Sequence, residues 1–255
     1  MNFPIIMSAF GTTSKAIATY SLLDACIRNH FPQSEIIWAY SSKVINRELQ
    51  DRKQSTVFRP EEVLHQLAER GISKAIVQSL HLFPGTEFHS LFKIVRESQL
   101  NCVVGKPLLT SPADYDQVGE ILRPIISKRP DKAILVLGHG THHPTWTAYY
   151  SLEKTLRKKF GERVYVGVVE KYPDTSHLVD EIAGQGFAKV CIIPFFLVAG
   201  MHYKRDIIND SNSSWKSRLE SRKLEVEAID YGLGHYSGIE NIIIRHIKEA
   251  GNSLI

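Results

Sequence analysis

The sequence predicts an α/β protein built from two similar α/β halves, each with a parallel sheet, on three observations. Short β-branched runs alternate with longer segments of helical period, the pattern of βαβ units around a parallel sheet. A turn recurs: the apolar run at 5–9 enters Phe10-Gly11-Thr12-Thr13, and the run at 134–137 enters Gly138-His139-Gly140-Thr141-His142-His143-Pro144. Later, residues 77–88 parallel residues 192–203; aligning Gly85 with Gly200 sets Glu87 opposite His202 and Phe88 opposite Tyr203. The expected domains are 1–129 and 130–255, joined near Arg129-Pro130-Asp131, related by a pseudo-twofold repeat and facing each other across a cleft.

In chain order the β-branched runs place strands at 5–9, 35–39, 74–79, 102–104, 134–137, 164–169, 190–195 and 224–229. Helical period places helices at 15–29, 60–69, 87–97, 114–127, 148–160, 178–183 and 239–250. The helix at 60 opens on Pro60-Glu61-Glu62, with proline at the first position and acids in the first turn. Residues 210–214 (Asp-Ser-Asn-Ser-Ser) read as a loop and helix entry, too short for a domain linker.

A chain of 255 residues, 43% hydrophobic, can bury a sizeable core. Its apolar runs fall far short of the roughly 20 residues needed to span a bilayer. The start, Met-Asn-Phe-Pro-Ile-Ile-Met-Ser, has no basic region and does not read as a signal peptide. Cys26, Cys102 and Cys191 form neither a metal-ligand spacing nor a disulfide framework; they read as small buried hydrophobes in a reducing cytoplasm. The formal net charge is +4. The cluster Lys154, Arg157, Lys158 and Lys159 reads as a solvated helix face, so neither nucleic acid nor membrane is expected as a partner. The mild positive excess favours an acidic small-molecule substrate.

Ligands of open α/β sheets sit outside the carboxyl ends of the strands. Three apolar runs of the second half end there on His139, on Glu170 and, after Ala199-Gly200-Met201, on His202. Two imidazoles and a carboxylate suit a transition-metal ion, and equally a proton abstraction beside it. His139 and His143 stand at i and i+4, but that spacing makes a metal pair only on a helix. Gly138, Gly140 and Pro144 argue against one, so His142 and His143 read mainly as helix-entry residues. Glu170 either caps the next helix or faces a ligand. The glycine-rich stretch 232–238 lacks the P-loop lysine and the dinucleotide spacing. No Gly-x-Ser-x-Gly is present, and no cysteine stands beside a histidine.

These residues carry a resemblance that covers nearly the whole chain. Ser8–Thr13, His81–Phe88, Gly138–Pro144, Val169-Glu170, Pro194–His202 with Asp206 and Asp210, and Gly232-Leu233-Gly234 together resemble the anaerobic sirohydrochlorin cobaltochelatases, class II tetrapyrrole chelatases. The resemblance implies insertion of Co2+ into sirohydrochlorin on the route to cobalamin, with Co2+ as substrate metal (Fe2+ or Ni2+ as alternatives) and no organic cofactor. It implies metal ligation and catalysis by His139, Glu170 and His202. Ser8, Phe10, Gly11, Thr12, Thr13, Glu87 and Phe88 are expected to face the substrate, and Tyr203 to pack on the ring. A homo-oligomeric assembly stays open. Departures flank the site: the last histidine sits in Gly200-Met201-His202-Tyr203, and Lys171-Tyr172 follow the glutamate where the family has a small residue. The competing readings are a sirohydrochlorin ferrochelatase and a non-catalytic tetrapyrrole- or haem-binding carrier.

Overall fold

The computed structural model describes residues 2–13, 17–51, 58–170 and 172–254. Its contacts divide the chain into two compact units, Met1–Asp114 with Ser237–Ile255, and Tyr115–Tyr236.

The first unit holds a parallel four-stranded sheet in the order β2-β1-β3-β4: β1 Ile5–Ala9, β2 Ile36–Tyr40, β3 Lys74–Ser79 and β4 Asn101–Gly105. Strand β1 is buried along its whole length, as a central parallel strand covered on both faces must be. Around the sheet lie α1 Ala18–His30, α2 Lys43–Asp51, α3 Pro60–Glu69, α4 Thr86–Glu97 and the start of α5 Pro112–Ser127. The expected start of the first helix, Lys15, lies outside the described residues.

The second unit repeats the plan with order β6-β5-β7-β8: β5 Ala133–Gly138, β6 Val164–Val168, β7 Lys189–Pro194 and β8 Glu225–Ala228. It carries α6 Ala148–Phe160, α7 Leu178–Gly184 and α8 Trp215–Glu220. A core of Leu135, Leu137, Tyr165, Ile182, Ile192, Ile207, Trp215 and Leu219 fills one face of this sheet. Ser214 caps α8 by accepting the Ser217 N–H, so the serine-rich stretch is the helix entry its composition predicts.

The domain boundary differs from the expected 129/130 division. The last helix, α9 Ile239–Asn252, returns to the first unit, where it packs on β3, β4 and α1. Its buried face of Ile239, Ile242, Ile243, His246, Ile247 and Ala250 explains the return, because that apolar stripe needs a sheet to cover it. A polar clamp fixes the dock. Asp114 Oδ1 accepts from Arg245 at 2.7 Å and lies 3.1 Å from His246 Nε2, while Oδ2 accepts the N–H groups of Thr110 and Ser111 at 3.0 and 2.7 Å. The cysteines also depart from expectation. Cys191 is buried, but Cys102 is half-buried and Cys26 is exposed on the solvent side of α1.

The two units repeat down to single hydrogen bonds. In the first, Ser41 and Ser42 donate to Ala9 and Phe10, and Leu80 donates to Ser8. In the second, Val169 and Glu170 donate to Gly138 and His139, and Phe195 donates to Leu137. The glycine after each first strand takes a positive φ, +96° at Gly11 and +90° at Gly140, a conformation that disfavours any side chain. A helix tyrosine, Tyr20 or Tyr149, bonds the backbone of each.

Candidate metal centre

His139 leaves β5 and its backbone is held on both sides. Gly138 must lack a side chain because a Cβ there would lie 2.3 Å from the Tyr149 ring. The Tyr149 hydroxyl accepts the Gly140 N–H at 2.8 Å, and burial pushes that hydroxyl up to about 12. A Cβ on Gly140 would meet the Tyr172 carbonyl at 2.8 Å and Glu170 Cβ at 2.9 Å. The turn therefore closes tightly enough for His139 and Glu170, from adjacent strands, to stand side by side.

His202 comes from the segment after β7. It opens a π-helix, Tyr203–Ile207, closed by the Ile208 N–H on the Tyr203 carbonyl at 3.2 Å. Single π-turns recur at functional sites because they re-aim side chains that an α-turn would not bring together.

The three side chains converge. One ligand atom from each of His139, Glu170 and His202 lies within 4.8 Å of the others. The Nε2 atoms of the two rings are 3.0 Å apart, and His139 Nε2 is 4.0 Å from Glu170 Oε1. Metal–nitrogen bonds of about 2.0–2.1 Å in a tetrahedron put two ligand nitrogens about 3.3 Å apart, so small side-chain rotations complete the site. The side chains of His139, Glu170 and His202 are 47, 44 and 37% exposed, which leaves the fourth side open to a substrate. Burial first, and then the neighbouring His202 ring, hold His139 below the ordinary imidazole value and so in the neutral, ligating form. Glu170 also lines a cavity of about 550 Å³ of mixed polarity, with Val169, Tyr172, Asp174, Asp206, Trp215 and Arg218.

A family model described as cobalt chelatase (CbiK) matches residues 4–252. The chain belongs to the cobalt chelatase (CbiK) family. It is 31% identical over 266 residues to the sirohydrochlorin cobaltochelatase of Salmonella typhimurium, covering 100% of this chain and 98% of that one. It is 29% identical to the sirohydrochlorin cobaltochelatase CbiKC of Nitratidesulfovibrio vulgaris, covering 98% and 91%. Among solved structures it shares its fold with SirB from Bacillus subtilis with Fe3+, at TM-score 0.68 and 15% identity over 100% of this chain and 98% of that one. The sirohydrochlorin chelatase SirB from Bacillus subtilis subspecies spizizenii, in complex with cobalt, gives TM-score 0.65 at 15% identity over 99% and 97%.

The remaining expected residues of this cobalt chelatase fall into two groups. Phe10 and Glu87 are exposed, Thr13 and Phe88 half-buried, and all four can meet a ligand. Ser8 is fully enclosed in β1, its hydroxyl without a hydrogen-bond partner among the described residues, which corrects the expectation that it faces substrate. Gly11 and Thr12 are buried, Gly11 shaping its turn. Tyr203 is corrected too: at 6% exposure it belongs to the core of the second unit, because the π-turn needs an apolar anchor. His142 packs edge-on to Tyr172, and His143 accepts the Thr145 N–H as cap of the turn Pro144–Thr147, so neither joins the cluster of His139, Glu170 and His202. The glycine-rich stretch spends the N–H groups of Leu233 and Gly234 on the carbonyls of Phe196 and Leu197, leaving neither to cradle a phosphate. Lys171 lies outside the described residues. Asp206, which meets His202, entered the sequence reading only as part of the resemblance; Arg205 beside it and Tyr149, which holds the turn after His139, were not singled out there. No helix among the described residues is long and apolar enough to cross a membrane.

Proposed function

We propose that this cobalt chelatase inserts Co2+ into sirohydrochlorin, with His139, Glu170 and His202 as the metal-binding and catalytic residues. The observation that carries the reading is the convergence of those three ligand atoms on one half-exposed point in the second unit. An insertion site must hold a divalent ion and then release it. Three protein ligands leave coordination positions free for macrocycle nitrogens, as catalytic sites do. Imidazole and carboxylate suit Co2+ without the tight grip of thiolates. The Glu170 carboxylate draws the cation in and offsets part of its charge. Insertion displaces two pyrrole N–H protons; neutral His139, whose Nε2 faces the site, is our assigned acceptor of one, and the other passes to solvent at the half-exposed site. Phe10, Thr13, Glu87 and Phe88 are our candidates for holding the macrocycle.

The test is anaerobic incubation of the protein with sirohydrochlorin and Co2+, Fe2+ or Ni2+, following the absorption change on insertion. Affinity of such ligands rises from Fe2+ to Co2+, so Co2+ is expected to be inserted faster than Fe2+. A higher specificity constant for Fe2+ would make the protein a sirohaem-forming ferrochelatase. Tight tetrapyrrole binding with no insertion of any metal would make it a carrier.

A further inference from the structure

The two imidazoles of the metal centre differ in what stands behind them. His202 Nδ1 lies 2.8 Å from Asp206 Oδ2. An ionised carboxylate only accepts, so the ring donates its Nδ1–H there, which leaves Nε2 as the nitrogen to face a metal. Arg205 Nη2 also lies 3.3 Å from Nδ1, but it too is a donor and cannot bond a protonated nitrogen. Arg205 instead grips the same carboxylate, Nε to Oδ1 at 2.8 Å and Nη2 to Oδ2 at 3.0 Å. The π-helix presents this assembly from a fixed base, since Tyr203 and Ile207 on either side of Asp206 are buried in the core. Among the described residues, His139 has only the neutral Gly140 carbonyl behind it, at 3.2 Å from Nδ1.

Resting on the metal-insertion reading, we propose that Asp206 is a positioning residue that makes His202 the anchoring ligand, held in one tautomer and orientation while His139 stays the looser partner. A charge-assisted bond is roughly twice as strong as a neutral one, and a carboxylate behind a ligand imidazole makes the metal-facing nitrogen more basic. The arrangement explains how one centre captures a metal and still gives it up. His202 keeps the ion in place, and His139 is free to turn when the macrocycle arrives.

The experiment is a Co2+ titration of the full chain under anaerobic conditions, read by the visible d–d absorption of protein-bound Co2+, with no tetrapyrrole present. Asp206→Asn is expected to raise the Co2+ Kd about 10- to 100-fold, the usual cost of losing such a partner. In a His202→Ala background the same change should alter Kd less than about twofold, because an indirect effect vanishes with its target. In turnover, the KM for Co2+ should rise while that for sirohydrochlorin stays put. Arg205→Gln, which frees the carboxylate without removing it, is the companion variant should Asp206→Asn fold poorly; its smaller loss should also vanish without His202. An unchanged Kd in the variants, or the same loss with and without His202, overturns the proposal and leaves the metal centre standing. Failure of the wild-type chain to bind Co2+ overturns the metal centre itself and this inference with it.

Discussion

The strand ends of the two units share one wiring and differ in chemistry. Both sheets run second-first-third-fourth, both first strands lead into a glycine at positive φ, and both glycines bond a helix tyrosine. Matching the backbone hydrogen bonds puts Phe10 where the second unit has His139, and Ser42 where it has Glu170. Glu87 stands as far beyond Leu80 as His202 stands beyond Phe195. One scaffold therefore carries phenylalanine, serine and glutamate in the first unit, and histidine, glutamate and histidine in the second. In the first unit the Glu87 carboxylate takes a long bond from Ser41 at 3.4 Å, where His202 has a histidine and a glutamate beside it. The shared wiring belongs to the fold. The proposed metal chemistry would belong to three side chains grafted onto it.

The comparison breaks first at those side chains. His139→Ala or His202→Ala should weaken Co2+ binding by more than about 100-fold with the melting temperature nearly unchanged, because half-exposed strand-end residues carry little packing. Phe10→Ala, at the matching position, should leave Co2+ affinity unaltered. Calorimetric titration beside thermal denaturation checks both, and a Phe10 variant that lost cobalt would erase the distinction between units.

Polar machinery in the first unit should act on stability alone. Burial by itself would raise the Asp114 carboxyl, but the bonds from Thr110, Arg245 and Ser111 outweigh it and hold the group well below the usual carboxylate range. A pKa lower in the folded state than in the unfolded chain stabilises above the unfolded value, about 4, and that stability is lost as pH falls through the folded value. Asp114→Asn should cost about 3 kcal/mol at neutral pH by leaving His246 and Arg245 without their buried partner. Urea unfolding from pH 7 to pH 2.5 should show the wild-type advantage shrinking below about pH 4. An advantage constant with pH would contradict the assignment.

The smallest expected effects separate turn geometry from metal chemistry. Gly140→Ala places a methyl at positive φ against the Tyr172 carbonyl, and Gly11→Ala places one against the Tyr40 ring at 3.0 Å. Each should lower stability by about 1–2 kcal/mol. Only Gly140→Ala should also weaken Co2+ binding, because only that turn aims a ligand. Equal losses of cobalt from both variants would show that the turn matters through global stability instead.

Much of this architecture was legible in the sequence. Each β-branched run became a strand within about two residues of its expected bounds, because parallel strands buried on both faces leave an uninterrupted apolar signature. The helix Pro60–Glu69 kept its expected bounds, its proline and first-turn acids marking the start. Two helices escaped notice for physical reasons. Helix α2, Lys43–Asp51, buries little beyond Asn46 and Leu49, too few positions to show a period, and α8, Trp215–Glu220, is under two turns long. The cluster of His139, Glu170 and His202 was readable because strand ends are where such sheets gather functional side chains. The inward turn of Ser8 and Tyr203 was not, since both depend on which face a residue takes once the chain packs. The Asp206–Arg205 support was hidden for a similar reason: it arises from a π-turn, and no sequence period announces one.

On the proposed reading, the second unit's strand ends, and not the matching ends of the first, hold the substrate metal. A crystal of the protein soaked anaerobically with Co2+ and measured at the cobalt absorption edge tests it most directly. One strong anomalous peak is expected about 2.0–2.2 Å from His139 Nε2, His202 Nε2 and a Glu170 oxygen, with none beside Phe10, Ser42 and Glu87. A cobalt peak at the first unit's strand ends, or one at the second unit that leaves any of the three ligands uncoordinated, would contradict it.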